Sequence, residues 1–256
     1  MIPKTIHYCW FGGNPKSEII EKCIESWKKL CPDYEIIEWN EDNYDVNSIP
    51  YTAEAYAAKK WAFVSDYARL KVVYDHGGIY LDTDVLLHHS LDELLLHDCW
   101  LAQEDVRFVS TGLGFGAIAH YPLIKSMMSS YESSAAEMSL NSVMDTATLE
   151  RVLPNWIKSG RSQTIDSLHI IGLRDYGKFA KHLATLSWTS EESQQARKQI
   201  LDDMFNPSKK AKCRQYIRHK IYRFKRICRH PALIAYFDKR KGTKLEKIYT
   251  FCAYDL

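Results

Sequence analysis

The sequence predicts an α/β protein with a mostly parallel central sheet, and two observations carry this prediction. The first is a strand, a helix and a second strand in direct succession, at residues 4–10, 17–30 and 34–39. Both strands are rich in β-branched and aromatic residues, and a βαβ unit of this kind joins parallel strands. The second is the short apolar run at 79–81, which follows two glycines and predicts a third, buried strand.

The helix at 17–30 has Ser17 as its expected N-cap, and Pro32 follows its end. Its apolar residues recur every three or four positions, which is the helical period (Ile20, Ile24, Trp27 and Leu30). The other expected elements are a polar loop over 40–50, helices at about 53–75, 122–136 and 146–159, and strands at 99–104 and 113–119. We therefore predict one α/β domain over residues 1–190 and a helical C-terminal extension over residues 191–256.

The composition places the chain among globular proteins and argues against several other classes. Of the 256 residues, 46% are hydrophobic and 26% are charged, which excludes a disordered or low-complexity chain. No apolar run approaches the roughly 20 residues that cross a bilayer, and the N-terminus lacks the apolar region of a secretory signal. The seven cysteines show no C-x-x-C spacing, so we expect them to be reduced and structural. These features predict a cytoplasmic protein.

Asp82 and Asp84 follow the predicted strand at 79–81, at the end where open α/β sheets bind ligands. If the backbone is still extended there, both side chains point to one face, with Thr83 opposite. Two carboxylates so close repel each other unless a cation lies between them or solvent screens them. Carboxylate oxygens suit Mg²⁺ or Mn²⁺, so a metal site is the favoured interpretation. The alternative is an Asx-type turn with two solvated aspartates.

Asp66 and Arg69 lie three residues apart in the preceding predicted helix and therefore share one of its faces. Such a pair is most often a solvated surface ion pair, which contributes little to stability. This helix leads directly into the strand before Asp82, however. The other interpretation is therefore that its polar face binds a hydroxyl-rich ligand, with Arg69 donating to an anion or to a pair of hydroxyl groups.

Five blocks of sequence occur in the following order. They are Ile2-Pro-Lys-x-Ile-His7 with Trp10-Phe-Gly12, Ser26-Trp27 with Pro32-x-Tyr34, Ser65-Asp66-x-x-Arg69, Gly77-Gly-x-Tyr80-x-Asp82-x-Asp84, and Ala180-x-His182-x-x-x-x-Ser187-Trp188. Together they resemble the DXD-motif sugar transferases of glycosyltransferase family 32, over about residues 2–190. The resemblance implies a GT-A-like fold, a nucleotide-diphosphate sugar donor and a divalent cation, Mn²⁺ or Mg²⁺.

The resemblance also implies which residues carry the chemistry. Asp82 and Asp84 would be the DXD carboxylates, one at the donor ribose or sugar and the other at the metal. His182 would be a third metal ligand, although a role without metal is an open alternative. Asp66 and Arg69 would hold the hydroxyl groups of the donor sugar and complete the catalytic set.

Four further residues would bind the donor. Trp10 would stack on the nucleotide base, Tyr80 belongs to the same block as the DXD carboxylates, and Ser187 and Trp188 would close over the diphosphate. Ordinary core packing is the alternative role for the two tryptophans. The glycine-rich stretch 110–116 does not follow the dinucleotide-binding pattern, and we expect it near the sugar or acceptor pocket.

The predicted activity is retaining, metal-dependent transfer of a hexose or N-acetylhexosamine from a nucleotide sugar. The acceptor would be a polysaccharide or a lipid-linked saccharide, as in capsule or O-antigen synthesis, and UDP is favoured over GDP as the nucleotide. Because no carboxylate declares itself as a covalent nucleophile, we expect front-face attack. In that mechanism the departing phosphate assists deprotonation of the acceptor hydroxyl.

Residues 209–229 contain ten Lys or Arg and no acidic residue, whereas the whole chain carries a net charge of only +2. Apolar residues recur through this segment at helical spacing (Ile217, Ile221, Phe224 and Cys228). The pattern predicts a basic amphipathic helix that binds an anionic membrane surface, which would place the protein peripherally on the inner face of the cell membrane. A helix packed on the core is the alternative, and nucleic acid is not expected as a partner.

Three other functions fit part of the sequence. They are a toxin-like transferase that glycosylates a protein, a non-catalytic membrane adaptor on a degenerate transferase fold, and a metal-dependent phosphoesterase. The intact pair Asp82 and Asp84 speaks against the adaptor, because an inactive descendant has no need for two repelling carboxylates. A phosphoesterase would leave Asp66 and Arg69 without roles.

Overall fold

The computed structural model describes residues 1–133, 140–185 and 191–205 of the chain. The chain divides into two units, residues 1–190 and 191–256. Within the second unit, the described residues form helix α7, Glu191–Phe205. The basic segment 209–229 lies outside the described residues. None of the described helices is long and apolar enough to span a membrane.

The first unit has two sheets and six α-helices among its described residues. The strands are β1 Thr5–Cys9, β2 Glu35–Trp39, β3 Gly78–Tyr80, β4 Val85–Leu87, β5 Cys99–Ala102, β6 Phe115–Ala117, β7 Gln163–Ile165, β8 Leu168–Ile171 and β9 Ala180–His182. The helices are α1 Glu18–Leu30, α2 Pro50–Ala57, α3 Trp61–His76, α4 Pro122–Ser133, α5 Asn141–Val152 and α6 Leu173–Phe179, with a 3₁₀ turn at Asp92–Leu96.

The central sheet has seven strands in the order β2-β1-β3-β6-β5-β8-β7. The pairs β1–β2, β1–β3 and β5–β8 are parallel, whereas β6 and β7 run against their neighbours. The predicted class, α/β with a mostly parallel sheet, is confirmed, and so is the parallel pairing within the βαβ unit. The carboxyl ends of β1, β2, β3, β5 and β8 meet at one side of the sheet, called here the carboxyl edge.

Alternate side chains of β3 face opposite layers of the core. Tyr80 packs with helix α3 in one hydrophobic cluster, whereas Ile79 and Leu81 pack with helix α1 in the other. Asp82 is two residues beyond Tyr80 and lies on the same side as Tyr80. The alternation of side chains along β3 therefore directs the first DXD carboxylate, Asp82, towards α3.

Several predicted elements differ from the structure. The helix predicted at 53–75 is two helices, α2 and α3, because Lys59 adopts a left-handed conformation with φ of 57°. The amides of Lys59 and Lys60 donate to the carbonyls of Tyr56 and Ala55, an arrangement that ends a helix. The strand expected at 79–81 begins one residue earlier, and the helix expected at 146–159 is α5, which begins and ends several residues earlier than expected. Strands β4, β7, β8 and β9 and helix α6 were not predicted.

Candidate functional site

The DXD segment lies in a turn at the carboxyl edge rather than in an extended strand. The amide of Val85 donates to the carbonyl of Asp82 at 3.0 Å, and this turn connects β3 to β4. Strand β4 pairs with β9, and the register sets Val85 opposite His182. The short second sheet therefore places the imidazole of His182 beside Asp84, which is about one hundred residues away in sequence.

Asp82, Asp84 and His182 form the candidate metal cluster. One ligand atom from each residue lies within 4.8 Å of the others. His182 Nε2 is 3.0 Å from Asp84 Oδ1. Adjacent ligands of an octahedral Mg²⁺ ion are about 3 Å apart, and carboxylates are the groups that such ions prefer, so these residues fit a divalent cation.

The second oxygen of the Asp84 carboxylate is held by Thr185. The Thr185 amide and hydroxyl donate to Asp84 Oδ2 at 2.8 and 3.0 Å. Burial raises the pKa of Asp84, but His182 and the two bonds from Thr185 outweigh burial and hold the pKa below its ordinary value. Burial likewise lowers the pKa of His182, and Asp84 outweighs it, so that the pKa of the imidazole is raised. Asp84 is therefore held in its ionised form, which is the form that binds a cation.

Arg69 connects the metal cluster to helix α3. Its Nη2 lies 3.0 Å from Asp66 Oδ1 and 3.2 Å from Asp82 Oδ1, and its Nε donates to the carbonyl of Ser65 at 3.0 Å. Arg69 is 3% exposed and Asp66 is 7% exposed. The alternative of a solvated surface pair is therefore wrong, because the packing of α3 against the sheet buries both groups.

Asp82 is fixed by two groups beneath it. The hydroxyl of Tyr80 donates to Asp82 Oδ1 at 2.9 Å, and the Arg69 guanidinium lies 5.0 Å from the centre of the Tyr80 ring. Burial raises the pKa of Asp82, while Arg69 lowers it. Burial also raises the pKa of Asp66, to about 7, even though Arg69 acts in the opposite direction. The carboxylates around Arg69 are thus held in an environment that disfavours their charge.

Two further elements complete the site: the glycine-rich loop, which we expected near the sugar or acceptor pocket, and helix α5, which the sequence did not assign to the site. The loop before β6 enters at the carboxyl edge, because β6 runs against β3, and Thr111 in this loop donates to Asp145 of helix α5. A Cβ atom on Gly112 would lie 2.9 Å from Asp82 Oδ2 and 3.0 Å from Arg69 Nη1. A side chain at this position would press on the Asp82 carboxylate and the Arg69 guanidinium, so glycine suits the close approach of the loop to the site. The glycine-rich stretch was noticed in the sequence, but Asp145 was not.

Of the remaining predicted donor residues, Trp10 is among those that the structure describes. Trp10 follows β1 at the carboxyl edge and is partly exposed. Its indole Nε1 donates to the carbonyl of Asn14 at 2.7 Å, and the Lys16 ammonium lies 5.3 Å from the ring centre. Ser187 and Trp188 lie outside the described residues, so their predicted role over the diphosphate stays a prediction.

Comparison with known proteins gives matches to glycosyltransferases. Residues 17–106 match the family described as the glycosyltransferase sugar-binding region containing a DXD motif. Inositol phosphoceramide mannosyltransferase 3 of Schizosaccharomyces pombe is 31% identical over 122 residues, which are 44% of this chain and 33% of that protein. The human α-1,4-N-acetylglucosaminyltransferase is 30% identical over 105 residues, which are 41% of this chain and 26% of that protein.

The chain thus spans about a third or less of the length of these two relatives. Among solved structures, the PaToxG glycosyltransferase is similar to this chain with a TM-score of 0.49 and 20% sequence identity, covering 60% of this chain and 70% of that chain. The family match contains Asp66, Arg69, Asp82 and Asp84 and ends before Asp145 and His182.

Proposed function

We propose that the chain is a metal-dependent sugar transferase with a GT-A-like fold, because its residues 17–106 match the glycosyltransferase sugar-binding region containing a DXD motif. It would transfer a hexose or N-acetylhexosamine, with retention, from a nucleotide-diphosphate sugar to a polysaccharide or lipid-linked saccharide. The observation that carries the proposal is that the candidate metal cluster and the buried Arg69 meet at the carboxyl edge. Asp82 belongs to the candidate metal cluster and also lies 3.2 Å from the buried Arg69.

Each side chain has a distinct task in this reaction. Asp84 and His182, with Asp82, would hold the Mn²⁺ or Mg²⁺ ion. When bound, that ion would neutralise the charge that develops on the leaving diphosphate. Arg69 and Tyr80 fix the orientation of Asp82, and Arg69 is itself fixed by Asp66 and by the carbonyl of Ser65. A site whose polar groups are already oriented stabilises developing charge without reorganisation.

The rival functions fit the structure less well. A phosphoesterase would use the metal cluster but has no role for Asp66 and Arg69, which are buried beside Asp82. A non-catalytic adaptor would be free to replace these buried carboxylates with apolar residues, and replacement of buried ion pairs in this way is often neutral or stabilising. The presence of Asp66, Arg69, Asp82 and Asp84 together therefore supports an active enzyme.

Donor base, acceptor and membrane contact belong to the proposal as well. We favour a UDP-sugar over a GDP-sugar, with Trp10 stacking on the base and Ser187 and Trp188 closing over the diphosphate. A lipid-linked acceptor would agree with the basic amphipathic segment 209–229, which we propose binds an anionic membrane surface. The segment's charge and spacing in the sequence support that part of the proposal.

A thermal-shift experiment tests the donor and the metal together. The wild-type protein would be heated with UDP, GDP, UDP-glucose, UDP-N-acetylglucosamine or GDP-mannose, with and without Mn²⁺. A ligand at one hundred times its Kd adds about 2.7 kcal/mol to stability, which raises the Tm by about 5–10 °C for a protein of this size. We expect one nucleotide family to give such a shift in the presence of Mn²⁺ only.

Asp84→Asn is the informative variant, because asparagine keeps the shape of the side chain and removes its charge. We expect it to abolish the Mn²⁺-dependent shift. Asp166→Asn is the matched control, since Asp166 is exposed in the β7–β8 turn, at the opposite side of the sheet, and has a positive φ that asparagine tolerates. The proposal is wrong if no nucleotide stabilises the wild type, or if Asp84→Asn responds as the wild type does.

A further inference from the structure

Asp145 on helix α5 is fully buried and only half of its carboxylate is used by the fold. The amide and the hydroxyl of Thr111 donate to Asp145 Oδ2 at 2.9 and 2.8 Å. The other oxygen, Oδ1, is buried and has no hydrogen-bond partner among the described residues. A buried polar atom without a partner costs about 1–3 kcal/mol, so such atoms are rare and need an explanation.

Arg69 has a matching atom of the opposite kind. Its Nη2 and Nε are engaged by Asp66, Asp82 and the carbonyl of Ser65, whereas Nη1 is buried with no partner among the described residues. Arg69 thus offers a buried donor and Asp145 a buried acceptor that are unused among the described residues, and the buried hydroxyls of Tyr51 and Tyr131 nearby are unused as well.

The two unused atoms belong to residues that flank the same loop. Thr111 donates to Asp145. A Cβ atom added to the next residue, Gly112, would lie 3.0 Å from Arg69 Nη1. Adjacent Cα atoms are only 3.8 Å apart, so the loop brings the two groups near each other. The Arg69 charge lowers the pKa of Asp145, which agrees with this proximity.

The fold alone gives no reason for an aspartate at this position. An asparagine would offer its carbonyl oxygen to Thr111 in place of Oδ2 and would carry no charge into the interior. Burial raises the pKa of Asp145 to about 6, because the charged form loses hydration there. A second acceptor atom, at Oδ1, is what aspartate provides and asparagine does not.

The charges around the pocket restrict what it binds. Three acidic side chains, Asp66, Asp82 and Asp145, lie close enough to the single guanidinium of Arg69 to interact with its charge. A phosphate group would be repelled by this excess of negative charge. A hydroxyl group fits, since it donates one hydrogen bond and accepts another.

We propose that Asp145 Oδ1 and Arg69 Nη1 bind one hydroxyl group of the donor sugar, the hydroxyl donating to the carboxylate and accepting from the guanidinium. This inference rests on the proposed function, and it assigns to α5 a specificity-determining residue that lies beyond the family match. A site built to bond a hydroxyl rejects an analogue that lacks it, because the buried polar atoms are then left without partners.

Asp145→Asn tests the inference sharply, because it turns the acceptor at Oδ1 into an NH₂ donor without changing the side-chain shape. The affinities of UDP, GDP, UDP-glucose, UDP-N-acetylglucosamine and GDP-mannose would be measured by calorimetry with Mn²⁺, on the wild type, on Asp145→Asn and on the control Asp166→Asn. We expect Asp145→Asn to bind the cognate sugar nucleotide at least 10-fold more weakly. The affinity for the corresponding nucleoside diphosphate should stay within twofold of the wild type.

Deoxy analogues of the cognate donor identify the hydroxyl. For one ring position, removal of the hydroxyl should weaken binding to the wild type by about the same factor and should add no further loss in Asp145→Asn. Thr111→Val, which removes one of the two donors to Oδ2, gives a second variant that should show a smaller loss with the same dependence on the sugar.

The possible failures are distinguishable. Wild-type protein that binds no nucleotide overturns the proposed function and this inference with it. Wild-type protein that binds a sugar nucleotide while Asp145→Asn binds it equally well overturns the inference alone. Equal weakening of nucleotide and sugar nucleotide also overturns it, since Asp145 would then act on the site as a whole. Failure of Asp145→Asn to fold would contradict it too, because the neutral side chain is expected to stabilise the fold.

Discussion

Two groups of carboxylates meet at the carboxyl edge, and their surroundings differ in kind. In the metal cluster, both oxygens of Asp84 have partners, and His182 and Thr185 hold its pKa below the ordinary value. In the pocket beside it, burial raises the pKa of Asp145 to about 6 and leaves one of its oxygens without a described partner. The first environment favours charge and suits a cation. The second disfavours charge and suits a neutral, hydroxyl-bearing ligand.

Arg69 joins these two environments, so its replacement should have the largest effect. Arg69→Lys keeps the positive charge but loses the planar guanidinium that contacts Asp66, Asp82 and the carbonyl of Ser65 at once. Each buried acceptor that the lysine leaves without its hydrogen bond costs about 1–3 kcal/mol. We expect a lower Tm and release of nucleoside diphosphate from the sugar donor slowed by at least about 100-fold, measured at saturating Mn²⁺.

The control for this variant is Arg107→Lys. Arg107 is 71% exposed at its side chain and lies 3.4 Å from Asp105, so the same chemical change occurs in water. Arg107→Lys should change the free energy of unfolding by no more than about 0.5 kcal/mol. Equal rates for Arg69→Lys and wild type would show that Arg69 does not link the two environments.

His182 tests the metal side of the comparison alone. His182→Ala removes one candidate ligand and leaves both carboxylates, so we expect Mn²⁺ affinity to fall by about 10–100-fold, as for losses that perturb metal ligation. The measurement is a Mn²⁺ titration followed by thermal shift. Activity should be recovered at high Mn²⁺, which distinguishes a lost ligand from a damaged sugar pocket. His89→Ala, at an exposed histidine near β4, is the matched control.

The sugar side is tested by the pH dependence of stability. The folded-state pKa of Asp145, about 6, lies above the ordinary value of 3.8, so the folded protein binds this proton more tightly than the unfolded chain. The contribution of Asp145 to stability is therefore fully present below pH 4 and is lost as the pH rises from about 4 to 6. Asparagine does not titrate and avoids this loss.

We therefore expect Asp145→Asn to be more stable than wild type by about 1–3 kcal/mol at pH 8 and nearly equal to it at pH 4. Denaturant unfolding at both pH values measures the difference, with Asp166→Asn as the control for loss of one carboxylate. A stability gain accompanied by weaker sugar binding is the trade-off expected of a residue kept for function. A loss of stability at pH 8 would contradict the assigned environment.

The parts of this arrangement that sequence predicts are the local ones. The β-branched and aromatic residues of β1 and β2 and the helical period between them predict the βαβ unit because each pattern lies within a few residues. Likewise, Asp82 and Asp84 after a short apolar run predict a ligand site at a strand end. The break at Lys59 carries no glycine or proline, and the left-handed conformation there depends on packing that a local pattern does not contain.

The pairings between distant residues are what sequence reasoning misses. His182 stands beside Asp84 through the β4–β9 pairing, and neither three-residue strand has a pattern long enough to predict. The resemblance named His182, whereas its position follows from tertiary structure. Asp145 and Thr111 are 34 residues apart and meet only because the antiparallel β6 returns its preceding loop to the carboxyl edge. A polar i, i+4 pair on α5, Asn141 and Asp145, was the one local indication.

The smallest expected effect comes from the hydroxyl of Tyr80, which supports both environments through Asp82. Tyr80→Phe removes the donor 2.9 Å from Asp82 Oδ1 and keeps the ring against Arg69. One such bond contributes about 0.5–1.5 kcal/mol, so kcat/KM for the donor should fall about 2–12-fold. Tyr34→Phe removes a similar bond, 3.0 Å from Asp92 Oδ1, away from the site, and should leave kcat/KM unchanged. Tyr80→Leu should have a distinctly lower kcat/KM than Tyr80→Phe, because it also removes the ring. Equal values of kcat/KM would mean that the ring does not hold Arg69 in place. The two environments would then be joined through the carboxylate of Asp82 alone.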